Sequence, residues 1–199
     1  DDYKGLKMRM PGLGGRTIGK LGATAVLMGG PDILTSLASG AIDAAEWICP
    51  IADLGLGMHQ AAKFYYGPGW HEPSTLLDLS IDLKEWEGLD ADTQALMMEM
   101  AKAFNVDVFS RFQALNGPAL GKLLNEHGVQ LKTFPDELLI ALGNAAGEVM
   151  EERGSIDSQT KAICNHILSF RKNIMDWSTK GESEFARIRN LPFKFPDSV

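Results

Sequence analysis

The sequence predicts an α/β protein whose sheet layer comes first and whose long helices come last. Three observations carry that prediction. Through about the first eighty residues, short apolar runs alternate with Gly- and Pro-rich turn signals, the pattern of short strands alternating with short helices. From Asp90 onward, apolar residues recur every three or four positions, the period of an amphipathic helix. With 199 residues, 45% hydrophobic and 23% charged, the chain has the length and composition for a sizeable core.

Residues 7–10 read as a strand stopped by Pro11, and residues 24–28 as a second apolar run. Between them, Gly14-Gly15-Arg16-Thr17-Ile18-Gly19-Lys20 matches most of a phosphate-cradling loop, but Leu21 stands where magnesium needs a Ser or Thr hydroxyl. No acidic metal-holding strand follows at a suitable distance, so the segment reads as a Gly-rich turn leading into a short helix. Residues 34–38 read as a helix opened by Pro31-Asp32, with Asp32 as its N-cap. Residues 44–49 read as a third strand, ended by Pro50. Residues 63–66 and 75–83 read as extended segments flanking a loop at 67–73, because TLLDLSIDL alternates apolar and polar with the period of a half-buried strand.

The helix from Asp90 places Met97, Met100, Phe104, Val108, Phe112 and Leu115 on one face, and Gly117-Pro118 is expected to break it. Residues 129–134 read as a strand. Pro135-Asp136 then opens a helix with Leu138, Leu139, Leu142 and Val149 inward. A last long helix carries Ile163, Ile167, Phe170, Ile174 and Trp177 on one face and is expected to stop near Gly181. The early strands are too few for a complete sheet, which points to partner strands outside this chain.

Several function classes lack support. A net charge of −7 argues against general nucleic-acid binding, which needs a basic face, yet one buried Arg can still recognise a carboxylate. No run approaches the ~20 apolar residues that span a bilayer. Cys49 and Cys164 form neither a disulfide framework nor a zinc pattern, and Cys49, beside Trp47, reads as a small core residue. His59, His71, His127 and His166 show no ligand spacing and read as surface or capping histidines. No GxSxG elbow anchors a nucleophile. The chain starts at Asp1 rather than Met and shows no signal peptide, so Asp1 reads as a processed or truncated start.

Three charged residues stand out by position. Arg9 lies inside the apolar strand Met8-Arg9-Met10, and strand ends in α/β sheets border ligand crevices; it could equally point to solvent from an exposed face. Glu46 follows Ala44-Ala45 and precedes Trp47-Ile48-Cys49, a carboxylate on a buried-looking strand. Glu72 sits in the loop Tyr65-Tyr66-Gly67-Pro68-Gly69-Trp70-His71-Glu72-Pro73. Either carboxylate could instead be solvated.

Taken in order, these pieces resemble the solute-binding proteins of TRAP transporters. Lys4-Gly5-Leu6-Lys7-Met8-Arg9 is similar to the family's KGLKhR segment, which carries its carboxylate-binding Arg. Leu37-Ala38-Ser39-Gly40-Ala41-Ile42-Asp43-Ala44-Ala45-Glu46-Trp47 resembles the family's short helix, sGxxD turn and ligand-facing strand. Tyr66-Gly67-Pro68-Gly69-Trp70-His71-Glu72 resembles the segment of the branch that binds α-keto and α-hydroxy acids. The resemblance runs from Tyr3 to about Asn190. It departs from the family where Pro31-Asp32-Ile33-Leu34 replaces a Glu and an aromatic, and in lacking the family's N-terminal portion, so the chain looks like a C-terminal fragment.

The resemblance implies a type II periplasmic-binding-protein-like fold of two α/β lobes, incomplete here, with long C-terminal helices. Residues 1–60 would be the remainder of the second lobe with its ligand-binding strands, 61–128 the hinge strands and long helix, and 129–199 the closing strand and C-terminal helices. It further implies periplasmic residence, a membrane permease partner and dimers formed through a helix near the C-terminus. Arg9 would grip the ligand carboxylate. Glu46, the Trp47 backbone and Glu72 would hold sodium or calcium that also touches the ligand, with Trp47 walling the pocket.

The chemistry is coherent without the family. A carboxylate between Glu46 and Glu72 faces like charges, and two unit charges ~4 Å apart repel by about 4 kcal/mol at an effective dielectric of ~20. A hard cation reverses that sign because carboxylates and carbonyls are its natural ligands, and a 2-oxo or 2-hydroxy acid offers it two adjacent oxygens. The expected function is therefore capture of a 2-oxo or 2-hydroxy carboxylate, with no catalysis. Two alternatives are a metal-dependent enzyme using Glu46 or Glu72 as base on a 2-oxo acid, and an assembly module that dimerises through the long helices.

Overall fold

The computed structural model describes residues 3–72 and 78–194. It divides into two compact units, Asp1–Ala146 and Gly147–Val199.

The first unit opens with a three-stranded parallel sheet: β1 (Lys7–Arg9), β2 (Thr24–Val26) and β3 (Ala44–Ala45), in the order β2-β1-β3. Helices α1 (Gly12–Lys20) and α2 (Gly30–Ser39) make the connections, as parallel neighbours require. The phosphate-loop look-alike is thus helix α1 itself, begun after Pro11 and packed so closely that a Cβ on Gly15 would lie 2.4 Å from the Met10 carbonyl oxygen. Asp32 is not the N-cap of α2: Gly29 takes that position, and Pro31 and Asp32 lie in the first turn, where the acidic side chain favours the helix dipole. The chain leaves α2 through Gly40 at φ +72°, a left-handed cap that suits glycine.

Strand β3 is shorter than the 44–49 expectation. Its pairing with β1 ends at Arg9↔Ala45, and Pro50 does not merely stop the strand but opens helix α3 (Pro50–Gly55), with half-buried Cys49 at its N-cap rather than inside a strand. Core residues Tyr3, Met10 and Ile18 pack with Leu142 from α6 (Asp136–Gly154), and Ile33 and Ile42 are also fully covered.

A second sheet pairs β4 (Phe64–Gly67) with β5 (Gln130–Thr133) in parallel, joining segments far apart in sequence. The Gly67-Pro68 peptide that follows β4 is cis. Of the expected strand at 75–83, residues 75–77 lie outside the described residues, and 78–82 are not extended into a ladder. Asp82 instead caps a short helix α4 (Leu83–Glu87), accepting from the Lys84 and Glu85 amides. Asp82 of that alternating run serves as a helix cap, a use that a period-2 pattern does not distinguish from a strand face.

Helix α5 (Ala91–Asn125) is capped by Asp90, with the carboxylate accepting from the Thr93 amide at 2.9 Å. It runs through Pro118 without ending. Proline inside a helix forfeits one hydrogen bond and costs about 3 kcal/mol. Burial offsets this: Ala119 and Leu123, just beyond, are each 3% exposed, and the Asn116 side chain accepts from the Ile51 amide where α3 packs on α5. Of the predicted apolar stripe, Met97, Val108 and Phe112 are half-buried, whereas Met100, Phe104 and Leu115 are exposed, Phe104 at 61%. The inward face expected of α6 is present, with Leu142 and Val149 fully covered.

In the second unit, α7 (Ser158–Ser178) starts at the cap Asp157 and buries Cys164 opposite Gly154. It does not stop at Gly181. A π-helical turn (Thr179–Ser183) lets the chain continue into α8 (Glu184–Arg189), with Gly181 giving room to the Trp177 ring. Ile163, Ile167, Phe170 and Trp177 are exposed rather than inward. Among the described residues no helix is long and apolar enough to cross a membrane.

Candidate cation and carboxylate site

The order β2-β1-β3 puts β1 in the centre, so the chain crosses from one side of β1 to the other, and the crevice beyond the carboxyl ends of such strands is where ligands bind. Arg9 is the last residue of β1 and Glu46 follows the last residue of β3, with the Glu46 amide donating to the Arg9 carbonyl at 3.0 Å. Both side chains therefore emerge at one point of the sheet edge.

Arg9 is buried, not solvent-facing. Its Nη1 donates to the Glu46 carboxylate Oε2 and to the Glu46 carbonyl, each at 2.8 Å, and its Nε reaches the Met28 carbonyl at 3.3 Å. The guanidinium lies 5.0 Å from the centre of the Trp47 ring, a cation–π arrangement. Trp47 is seated by Gly30, where a Cβ would approach its ring to 2.7 Å. Such a desolvated pair stands only because several hydrogen bonds satisfy the guanidinium, and arginine's fixed fork suits that task better than lysine.

The other oxygen of Glu46 faces the loop after β4. His71 Nε2 stands 3.7 Å from Glu46 Oε1, and donor atoms of Glu46, His71 and Glu72 all lie within 4.8 Å of one another. Arg9, Glu46, Trp47 and Glu72, singled out in the sequence, thus fall into one neighbourhood around Glu46. Glu72 is exposed, whereas Glu46 and His71 are largely covered.

His71 is not a surface histidine: both ring nitrogens are buried and have no hydrogen-bond partner among the described residues. Nothing in its spacing could have signalled this; its place next to Glu72 was the only clue. A second missed pair lies behind the site. Asp53 on α3 is 7% exposed and accepts from the Tyr65 hydroxyl of β4 at 2.5 Å. Burial pushes the Asp53 carboxyl above the usual carboxylate range and Glu46 adds to the push, while the Tyr65 hydroxyl and the Ile48 and Cys49 backbone pull the other way. Burial, then the Asp53 partner, drives the Tyr65 phenol far upward. His59 also departs from expectation, lying against His127 with ring centres 4.0 Å apart and planes tilted by 30°, with burial the larger and His127 the smaller cause lowering its pKa.

A parallel α/β layer thus carries a buried arginine and clustered carboxylates at its carboxyl edge. The chain belongs to the DctP family, bacterial extracellular solute-binding protein family 7, whose model matches residues 1–155. It is 38% identical over 184 residues to the monocarboxylate 2-oxoacid-binding periplasmic protein of Nostoc sp., covering 92% of this chain and 50% of that protein.

Among solved structures it resembles a TRAP periplasmic solute-binding protein from Pseudoalteromonas atlantica with bound sodium and pyruvate (31% identity, TM-score 0.87, 97% of this chain and 57% of that one). A Colwellia psychrerythraea relative with bound calcium and pyruvate matches at 33% identity and TM-score 0.86, over 94% of this chain and 57% of that one. A Bordetella bronchiseptica relative, a mixed occupancy dimer with calcium and picolinate, matches at 30% identity and TM-score 0.86, over 94% of this chain and 56% of that one. The chain therefore spans about half the length of these relatives, and its fold is an incomplete version of theirs.

Proposed function

We propose that the protein carrying this chain is the extracytoplasmic, periplasmic solute-binding component of a TRAP transporter. It captures a small 2-oxo or 2-hydroxy carboxylate and delivers it to membrane permease subunits. The observation that carries the reading is the buried Arg9 held between Glu46, Met28 and Trp47 at the carboxyl edge of the sheet. Among the described residues the three bonds use Nε and Nη1, which leaves Nη2 for an anion.

Glu46 then has two roles, pinning Arg9 through Oε2 and offering Oε1 toward a cation shared with Glu72 and the Trp47 backbone. Glu46 and Glu72 offer carboxylate oxygens that, with a ring nitrogen of His71, lie within 4.8 Å of one another, and two carboxylates this close repel unless a cation sits between them. When bound, sodium or calcium supplies the positive charge that lets an anionic ligand sit beside two carboxylates. The Nostoc, Pseudoalteromonas and Colwellia relatives support both ligand class and ion. Pairing of two copies is supported by the exposed apolar side chains of α5 and by the Bordetella dimer.

The test is calorimetry of the complete, metal-stripped protein with pyruvate, with and without sodium or calcium. Binding is expected only with a cation. Arg9→Ala is expected to remove at least one charge-assisted bond, about 1.5–3 kcal/mol, or roughly ten- to a hundredfold in affinity. Glu72→Ala is expected to abolish the cation dependence. Equal affinity with and without metal would sink the proposal.

A further inference from the structure

We propose that His59 and His127 form a pH-sensitive clasp, which holds the base of the β4–β5 ladder closed while both rings are neutral and loosens it when they take up protons. The inference is independent of the capture reading and uses none of the candidate site's residues.

The two histidines come from segments far apart in sequence. His59 lies in a single 3-10 turn, Met58–Gln60, and His127 in the turn that leaves α5. Each turn feeds one strand. The Ala62 amide donates to the Met58 carbonyl ahead of β4, and the Val129 amide to the Leu123 carbonyl ahead of β5. The Gln130 amide then donates to the Lys63 carbonyl at 2.8 Å, the bond that starts the ladder. The rings of His59 and His127 meet a few residues ahead of it, with centres 4.0 Å apart. β5 is exposed along its whole length, and a two-stranded ladder has little stability of its own. A contact at its base therefore governs how firmly it stays paired.

The geometry favours neutral rings. Nδ1 of His59 is buried and has no hydrogen-bond partner among the described residues. A neutral imidazole can leave that nitrogen as a bare acceptor. In the charged ring both nitrogens are donors, and the added N–H would be buried with nothing to receive it. A charge on His127 at this separation also repels one on His59. The charged and titratable groups on the elements around His59 are Asp32 on α2, Asp53 on α3, Lys63 ahead of β4, and Lys122, Glu126 and His127 at the end of α5. Among the described residues, His127 is the one whose charge moves the His59 pKa, which burial first and His127 second hold below the ordinary 6.5.

Because that folded pKa is depressed, the stability linked to His59 is full above 6.5 and is lost as pH falls from there through the folded value. Asp53 titrates with the opposite sign, its raised pKa favouring the fold on acidification, so loosening in acid points to the histidines. Protonated histidine clusters open packed contacts in this way in pH sensors. β4 runs on through Gly67 toward His71 and Glu72, which puts the clasp at the root of the strand leading to the candidate site.

The experiment measures hydrogen exchange of the complete protein at about pH 7.5 and about pH 5.5, on either side of an ordinary histidine pKa. Rates are expressed as protection factors, so that the intrinsic pH dependence of exchange cancels. In the wild type, protection of the Gln130 amide is expected to fall by about tenfold or more on acidification, the change that one unit of pKa shift produces. The amides of α1 should change much less. His59→Phe keeps a buried ring that cannot take a proton, and it is expected to hold the neutral protection and lose most of the fall. His127→Gln, at an exposed position, removes the second charge without disturbing the core and is expected to shrink the fall as well. Equal protection of the wild type at the two pH values overturns the inference. A fall that neither variant reduces also overturns it, because the titrating group then lies elsewhere.

Discussion

Ile18, Ile33 and Ile42 of the early α/β layer are fully covered, whereas Met100, Phe104 and Phe109 on α5 each expose more than half of their surface. Of these, Met100 and Phe104 were laid out in the sequence as part of an apolar face. The layer's strands and helices alternate within forty residues and close on one another, so the chain itself contains what covers them. The α5 stripe has a helical period but little to pack on among the described residues beyond its α3 contact and its last turns. A stripe records that a face favours burial and says nothing of what covers it.

The largest effect that would test this contrast is in the layer's core. Leu142→Ala removes a side chain with no exposure that packs on Tyr3, Met10 and Ile18, and is expected to cost about 2–5 kcal/mol in chemical denaturation. Next is Gly30→Ala, whose Cβ would press into the Trp47 ring. Overpacking of this kind costs about 1–3 kcal/mol, and because Trp47 lies over Arg9, pyruvate affinity should fall with it. Normal affinity would show that Trp47 can move without disturbing the guanidinium.

Legibility followed the same division. β1, β2, β5 and the start of α5 were readable because strand stops, a change to a three-to-four-residue apolar period and Pro-Asp openings act within a few residues. The break at Pro118 was misread because α3, more than sixty residues earlier, contributes the Ile51 amide that bonds Asn116. Arg9, Glu46 and Glu72 were found through their place in known motifs, since spacing alone left each free to be solvated. The partner of Asp53 was invisible for a physical reason: Tyr65 reaches it only because β4 and α3 fold together.

That pair supports a third, pH-dependent prediction. Tyr65→Phe leaves a buried carboxylate without its hydroxyl donor and is expected to cost about 1–3 kcal/mol near neutral pH. The folded pKa of Asp53 is raised, so the stability linked to its protonation is full below the unfolded pKa of 3.8 and is lost as pH rises through the folded value. Removing the hydroxyl, which pulls that pKa down, raises it further. The penalty of Tyr65→Phe should therefore shrink on acidification. Urea midpoints of both proteins across the acid range would show it, and a constant gap would mean that Asp53 is already neutral.

The smallest expected effect belongs to the exposed stripe. Phe104→Ala in this 199-residue chain removes a ring that is 61% exposed, and it should change stability by about 0.5 kcal/mol or less. The informative comparison is the same substitution in the complete protein. If another segment or a second copy covers α5 there, the cost should climb toward the roughly 3–5 kcal/mol of a buried phenylalanine, and a dependence on protein concentration would identify the second copy. A cost that stays small in both would mean that the stripe is free surface, and that its helical period reflects no packing partner at all.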